Sequence, residues 1–394
     1  MLRTKVGAGI VVAAALAFGA GPALAASGWT IVSIPPTGEN APLLGVSSVS
    51  DTDAWAVGYD SGNTGTNVGA KALIDNWNGT AWSAATVPTT PGNTALLLAV
   101  SASSATDAWA VGRTQVNKSS FEALALHWNG TAWSVISGLS TALSVGGGAF
   151  SAVGVADISP TDAYAIGDSS ATASGTLAQW NGTAWSNVTL PLPANATSNT
   201  TLSAISASGP DDVWVVGTYL DPAAGGQNET FSDYFNGTAW TVESMPLNSS
   251  SNINAFYQFN GIQANSPTDV WAVGESSVVD GTTSSDLIEH FNGTAWSIVS
   301  SPSPGEGDSL TAVTASNADD VWAVGVTQPT GTTEAQTLTL NWNGTAWTTV
   351  ASPDNGNPSV LNAVSAAPGA GTVWAVGESG ESGSFDPFAT DTSG

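Results

Sequence analysis

Asp53-Ala54-Trp55-Ala56-Val57-Gly58 and the later Trp77-Asn78-Gly79-Thr80-Ala81-Trp82 decide the fold, because both motifs recur along the whole chain. The first returns at 107–112, at 162–167 with Tyr164 and Ile166, and at 212–217, 269–274, 320–325 and 372–377, which makes seven copies. Trp55 to Trp374 spans 319 residues in six steps, a period of about 53, which suits one propeller blade better than a helical repeat. The second motif returns at 128–133, 180–185, 235–240, 291–296 and 342–347, with Phe235 and Phe291 replacing the first tryptophan. Asn-Gly is the preferred pair of a two-residue type I′ hairpin turn. The expected register therefore sets Trp77 opposite Thr80 and Trp82 opposite Asp75, with the two rings meeting diagonally on one face.

A third element precedes each Asp-x-Trp unit. It reads Leu43-Leu44-Gly45-Val46 in the first repeat, Leu97-Leu98-Ala99-Val100 in the second and Leu361-Asn362-Ala363-Val364 in the last, always with Gly or Ala third. A short apolar strand with one small residue suits the innermost position, where blades crowd a central channel. Strand a is this run, strand b is Trp-Ala-Val-Gly, strand c ends in Trp-Asn and strand d begins Thr-Ala-Trp. The fold class is all-β: a seven-bladed β-propeller of four-stranded antiparallel blades. Gly28-Trp29-Thr30-Ile31-Val32-Ser33 matches the strand d at Ala295 to Ser300, so this amino-terminal outer strand is expected to complete the last blade and close the ring. Strand c of that blade must then come from Phe385 to Thr392, a poor strand containing Pro387. Trp29, Trp55, Trp109, Tyr164, Trp214, Trp271, Trp322 and Trp374 are expected as blade-to-blade core. All 17 tryptophans fall on repeat positions, with none left over to stack on a sugar.

Residues 1–25 read as a secretory signal. Arg3 and Lys5 precede the apolar run Val6 to Ala20, and Ala23-Leu24-Ala25 offers a cleavage site. Residues 26–394 are then a single secreted propeller domain. Five basic residues against 31 acidic ones give −26, and loss of Arg3 and Lys5 takes the mature chain to −28. Such a surface argues against nucleic acid and membrane partners. The absence of cysteine excludes disulfides, thiol nucleophiles and cysteine-held metals. A monomer is expected.

The pair of motifs resembles the highly repetitive seven-bladed propellers of secreted bacterial proteins that carry Asp-Val-Trp-Ala-Val-Gly and Trp-Asn-Gly-Thr-x-Trp units. In architecture alone the chain is similar, at a distance, to Kelch, sialidase-like and fucose-lectin propellers. That resemblance implies a scaffold and not an activity. Arg113 is the one arginine left after the signal, so a sialidase-type arginine cluster is excluded and a cationic grip in every blade is unsupported. His127 and His290 precede the strand c aromatic, where other blades carry Asn76, Gln179, Tyr234 and Asn341, and read as polar occupants of the strand rather than a metal pair. The repeated aspartate is expected to bond to amides of its own turn.

Function is expected where the repeat varies, on the face of the b–c and d–a loops. Asp60, Asp168, Glu275 and Glu378 follow strand b ends and could ring the mouth to hold Ca²⁺ or act as a glycosidase acid pair, against the plainer reading of solvated loop carboxylates. Nothing else suggests a cofactor. Tyr219, Phe256 and Tyr257 are the leading ligand contacts, in competition with a loop-anchoring role. The expected function is an extracellular non-enzymatic binding or interaction module for a glycan, peptide or surface protein. The alternative is a carbohydrate-active hydrolase using the mouth carboxylates.

Overall fold

The computed structural model describes residues 28–392 apart from 36–37, 39, 63–68, 118–119, 145–149, 170–174, 195, 197–199, 222–226, 247–254, 279–283, 333, 353–357, 368, 370 and 381–385. Residues 1–25, expected as a signal segment, lie outside the described residues, as do many of the loops expected to form the variable face.

Seven sheets of four antiparallel strands form the ring. Blade 1 uses Leu43–Ser50, Asp53–Asp60, Lys71–Trp77 and Trp82–Ala84 in consecutive order. Blade 7 uses Ser359–Ala366, Val373–Ser379 and Asp386–Asp391, and its outer strand is Thr30–Ile31 from the other end of the chain. The closure expected from the sequence is thus present, with Thr30 opposite Asp391 and Ile31 opposite Thr390. Pro387 is accommodated opposite Glu378, near the start of its strand. One short helix, Leu139–Leu143, precedes blade 3 and buries Leu139, Ala142 and Leu143.

Each strand a carries a bulge at its second motif residue: the pairing skips from Leu43 to Gly45, from Leu97 to Ala99 and likewise in all seven blades. The bulged residues line the central channel, apolar in blades 1 to 3 (Leu44, Leu98, Val153) and polar in the other four. Three of the polar ones stitch neighbouring blades. Asn260 Nδ2 donates to the Leu310 carbonyl at 2.9 Å, Thr311 Oγ1 to that of Leu361 at 2.6 Å, and Asn362 Nδ2 to that of Leu43 at 2.9 Å. A second ring of stitches uses the hydroxyl after the motif. Backbone N–H groups of Ala102, Asp157, Ala264 and Ala366 donate to Ser47, Ser101, Ser206 and Thr314 at 3.0 Å, and that of Ser48 to Ser365 at 2.9 Å.

The bulge also explains the glycine that ends strand b. A Cβ on Gly112 would run into the Leu96 carbonyl oxygen and sit 2.9 Å from Leu97 Cα, both backbone atoms of the bulged strand. Gly112→Ala is therefore expected to cost ~3 kcal/mol through forced backbone displacement, read as a lower urea midpoint at unchanged slope.

Between blades, the strand b aromatic inserts beneath the hairpin aromatics of the next blade. Trp109 lies 5.2 Å from Trp180 and 5.0 Å from Trp185, and Trp55, Trp271 and Trp374 repeat the arrangement with Trp128/Trp133, Trp342/Trp347 and Trp77/Trp82. Trp214 and Tyr164 do the same with Phe291/Trp296 and Phe235/Trp240. All eight aromatics expected as mortar are buried.

The hairpin register differs from expectation. Trp77 faces Trp82 directly, as do the five sister pairs, so the loop has four residues, Asn-Gly-Thr-Ala. Asn78 Oδ1 accepts the N–H groups of Thr80 and Ala81, each at 3.0 Å, and Gly79 alone in this loop has positive φ, at 87°. A type I′ turn needs two residues at positive φ; here the asparagine side chain closes the loop instead.

Candidate functional site

The repeated aspartate takes side-chain partners both across its sheet and from its own a–b turn, and not the turn's backbone amides. Asp107 pairs with His127 Nε2 at 2.7 Å and accepts from Ser103 Oγ at 2.6 Å. Asp269 pairs with His290 at 2.7 Å and Asn265 at 3.0 Å, and Asp320 with Asn341 at 2.8 Å and Ser316 at 2.5 Å. Asp53 accepts from Asn76 at 3.2 Å and Asp162 from Gln179 at 3.0 Å. In these five blades the polar residue before the strand c aromatic is thus the aspartate's partner, while in blade 4 Asp212 accepts from the Trp214 indole N–H at 2.8 Å and from Ser208, and side-chain partners of this kind correct the turn-amide reading. The missed signal was the pairing, in blades 1, 2, 3, 5 and 6, of a polar residue in strand c with the aspartate that opens strand b. Both histidine rings lie on a strand b tryptophan, 4.5 Å from Trp109 and 4.2 Å from Trp271.

Of the mouth carboxylates, Asp60 accepts backbone N–H bonds from Gly38 at 3.0 Å and Gly62 at 2.8 Å. Glu275 sits mid-strand between Gln258 and Asp286. Glu378 lies between Val360 and Pro387, and burial pushes its carboxyl up. Asp168 pairs with Ser151 through the backbone, and its side chain lies outside the described set. Among the described residues no three His, Asp or Glu side chains come together as a metal site. Tyr219 is buried with its ring 6.1 Å from Phe231, and Tyr257 is buried in the seam between blades 4 and 5. Phe256 is half-buried opposite Ser277.

The aromatic surface that does meet solvent lies on the other face. A groove of about 720 Å³ runs along the seam of blades 1 and 2, walled by Trp77 on one side and by Trp128 and Trp133 on the other, with Trp55 also in its lining. Trp55 and Trp133 are buried, whereas Trp77 and Trp128, like Trp240 and Trp342 in other seams, are half-buried: they pack against the core with part of each ring open to solvent. Their indole N–H groups donate to the carbonyls of Asp51 at 3.0 Å and Ala105 at 3.1 Å, which orients the rings. Asp53, Asn76, Asn78, Ser83 and Thr131 supply polar atoms around them. Burial pushes the Asp53 carboxyl up, against the Asn76 hydrogen bond that lowers it.

One residue accounts for the opening. The third position after the strand d tryptophan is Ala85 in blade 1, against Ile136, Val188, Glu243, Val299, Val350 and Val32 elsewhere. Ala85 lines the groove and packs on the core of that seam, so a missing side chain leaves the space that its sisters fill.

No protein-family model matches the chain, and no curated protein matches it in sequence. Solved structures do share the fold. An ulvan lyase from a new polysaccharide lyase family aligns at 10% identity over 91% of this chain and 95% of its own, with TM-score 0.57. A YCF48 structure bound to a D1 peptide aligns at 14% identity over 92% and 94%, with TM-score 0.54. A protein of unknown function from Dyadobacter fermentans aligns at 9% identity over 92% and 97%, with TM-score 0.51. At these identities the likeness is one of fold alone.

Proposed function

We propose that this protein is an exported binding module that holds a neutral saccharide in the groove between blades 1 and 2 without turning it over. The observation that carries the reading is the Trp77–Trp128 pair, half-open at a groove ringed by amide, hydroxyl and carboxylate groups. Indole faces pack against the C–H face of a sugar ring while side-chain amides and hydroxyls meet its hydroxyls. The lining holds no cation, so an acidic sugar has no counter-charge there. Asp53 is its one carboxylate, whereas glycoside hydrolysis uses two facing each other across the bond. Propellers of this shape include one solved with a peptide and one solved with a GlcA(1-4)Rha3S saccharide, so the scaffold is compatible with either kind of partner.

A glycan array on chain 26–394 is expected to show binding to neutral glycans. Trp128→Ala and Ala85→Val, the latter installing the sister blades' residue, are each expected to weaken binding at least tenfold, ~1.4 kcal/mol. Binding that survives Ala85→Val would move the site elsewhere, and turnover of a chromogenic glycoside would favour the hydrolase.

A further inference from the structure

Ala85 is preceded by a second small residue. The position two after the strand d tryptophan is Ala84 in blade 1, against Val135, Asn187, Val242, Ile298, Thr349 and Ile31 in the others. Ala84, itself exposed, lines a second cavity of about 250 Å³ near the closing segment, whose lining includes Pro35, Gly38, Asp60, Ile74 and Asp75. Asp75 lies directly across from Ala84 on the neighbouring strand.

Asp75 is a carboxylate in a core position of its strand. Its side chain is buried, with 4% exposure, and no hydrogen bond from a described residue offsets the effect of that burial on its carboxyl. Burial alone pushes its carboxyl up to about 6, so it is ionised at pH 8. The same strand position holds Leu126, Ala178 and Leu340 in blades 2, 3 and 6 and the buried carboxylates Asp233 and Glu289 in blades 4 and 5, but of the three acidic residues Asp75 is the one that lines this cavity. Asp60, on the same cavity, has one oxygen held by the Gly38 N–H and the other by Gly62, so its carboxylate is fixed in place. Lys71 stands opposite Asp60 in the strand register, yet the ion pairs among the described residues are those of the two histidines.

We propose that this cavity binds an alkylammonium group, the chemistry shared by a lysine side chain and a free alkylamine. The two carboxylates supply charge that the protein leaves uncompensated, and Pro35, Ile74, Ala84 and Val87 supply an apolar wall for methylenes. A calcium ion asks for six to eight oxygens, and among the described residues no third acidic or histidine side chain joins the pair. The proposal does not rest on the saccharide reading, although Ala85 lines both cavities.

The test is calorimetric titration of chain 26–394 at pH 8 with n-butylamine, with the peptide amide Ala-Lys-Ala and with calcium chloride. Saturable binding of n-butylamine is expected, with at least a tenfold loss in Asp75→Leu, which installs the sister residue, and in Ala84→Val, which fills the cavity and keeps both carboxylates. The Ala84→Val arm carries the test should Asp75→Leu fail to fold. Binding of the peptide as well assigns the site to a partner's lysine, and binding of n-butylamine alone assigns it to a free amine. Amine binding unchanged in a folded variant, no amine binding at millimolar concentration, or a calcium response without an amine response would each overturn the proposal.

Discussion

Replacing Asp233 with alanine and Glu289 with leucine is expected to stabilise the protein at pH 8 by several kcal/mol. Both are core carboxylates at the strand c position that is Leu126, Ala178 or Leu340 in other blades. Asp233 is 0% exposed and Glu289 1%, and neither oxygen of Asp233 nor Oε2 of Glu289 has a hydrogen-bond partner. Burial pushes each from its ordinary value, 3.8 for the aspartate and 4.5 for the glutamate, up to about 8. At ~1.4 kcal/mol per pH unit, ionised burial costs each group at most roughly 5–6 kcal/mol, and less where the interior relaxes around a charge. The sign follows from proton uptake. Between pH ~4 and ~8 the native state keeps protons that the unfolded chain has released, so stability falls as pH rises through that window and is fullest below the unfolded values. Asp157, raised to about 8 by burial and the Asp107 charge, adds to the same trend. Urea unfolding of the wild type should show a midpoint that declines from pH 4 to pH 8, and the double variant a shallower decline, with the two converging toward pH 4. A wild type equally stable at both ends would mean that these carboxylates find water or partners in solution.

Those positions also mark how far the sequence could be read. The seven strand b motifs and the match of Trp29 to Trp296 suffice for blade number and closure, because a period near 53 with four strand signals leaves few other arrangements. Asn78-Gly79 suggests a hairpin correctly but mis-sets its register, since the dipeptide does not reveal that the asparagine side chain takes two backbone amides. The helix at Leu139–Leu143 has no side-chain cap and follows Gly138, so it carries no local start signal. The candidate site was hidden differently. Ala84 and Ala85 depart from the repeat and Asp75 shares its position with Asp233 and Glu289, but a small residue or a buried charge within a strand looks like noise until the seam geometry shows which cavity it lines. Trp77 and Trp128 are likewise indistinguishable in sequence from the more buried Trp180. Tyr219 and Tyr257 attract notice because they lie outside the motifs, and their rings turn out to be buried in seams.

Removing residues 28–34 is expected to abolish the cooperative unfolding transition, and Trp29→Ala alone to cost ~3–5 kcal/mol, against a total stability on the order of 5–15 kcal/mol. Trp29 is 6% exposed and meets Trp322 edge to face at 5.3 Å, the contact by which blade 7 covers the strand b tryptophan of blade 6. Blade 7 has no strand c tryptophan to share that task, so the loss is undiluted. The backbone tie is equally local. Val32 N donates to the Ala389 carbonyl at 2.9 Å, Thr390 Oγ1 to the Thr30 carbonyl at 2.7 Å, and Thr30 Oγ1 to Asp391 Oδ1 at 3.0 Å. Without the strand, Asp386–Asp391 becomes a free edge beside an uncovered indole, which favours self-association. Ile31→Thr supplies the control: its side chain is 50% exposed on the same strand, so a change within ~0.5 kcal/mol is expected. A synthetic peptide of residues 28–34 added to the shortened chain should restore the transition in a saturable manner, because the pairing groups of the last blade remain in place. Thermal melts followed by tryptophan fluorescence distinguish the outcomes, and a shortened chain that melts within a few degrees of the intact one would show that the ring is held by its inter-blade seams without the clasp.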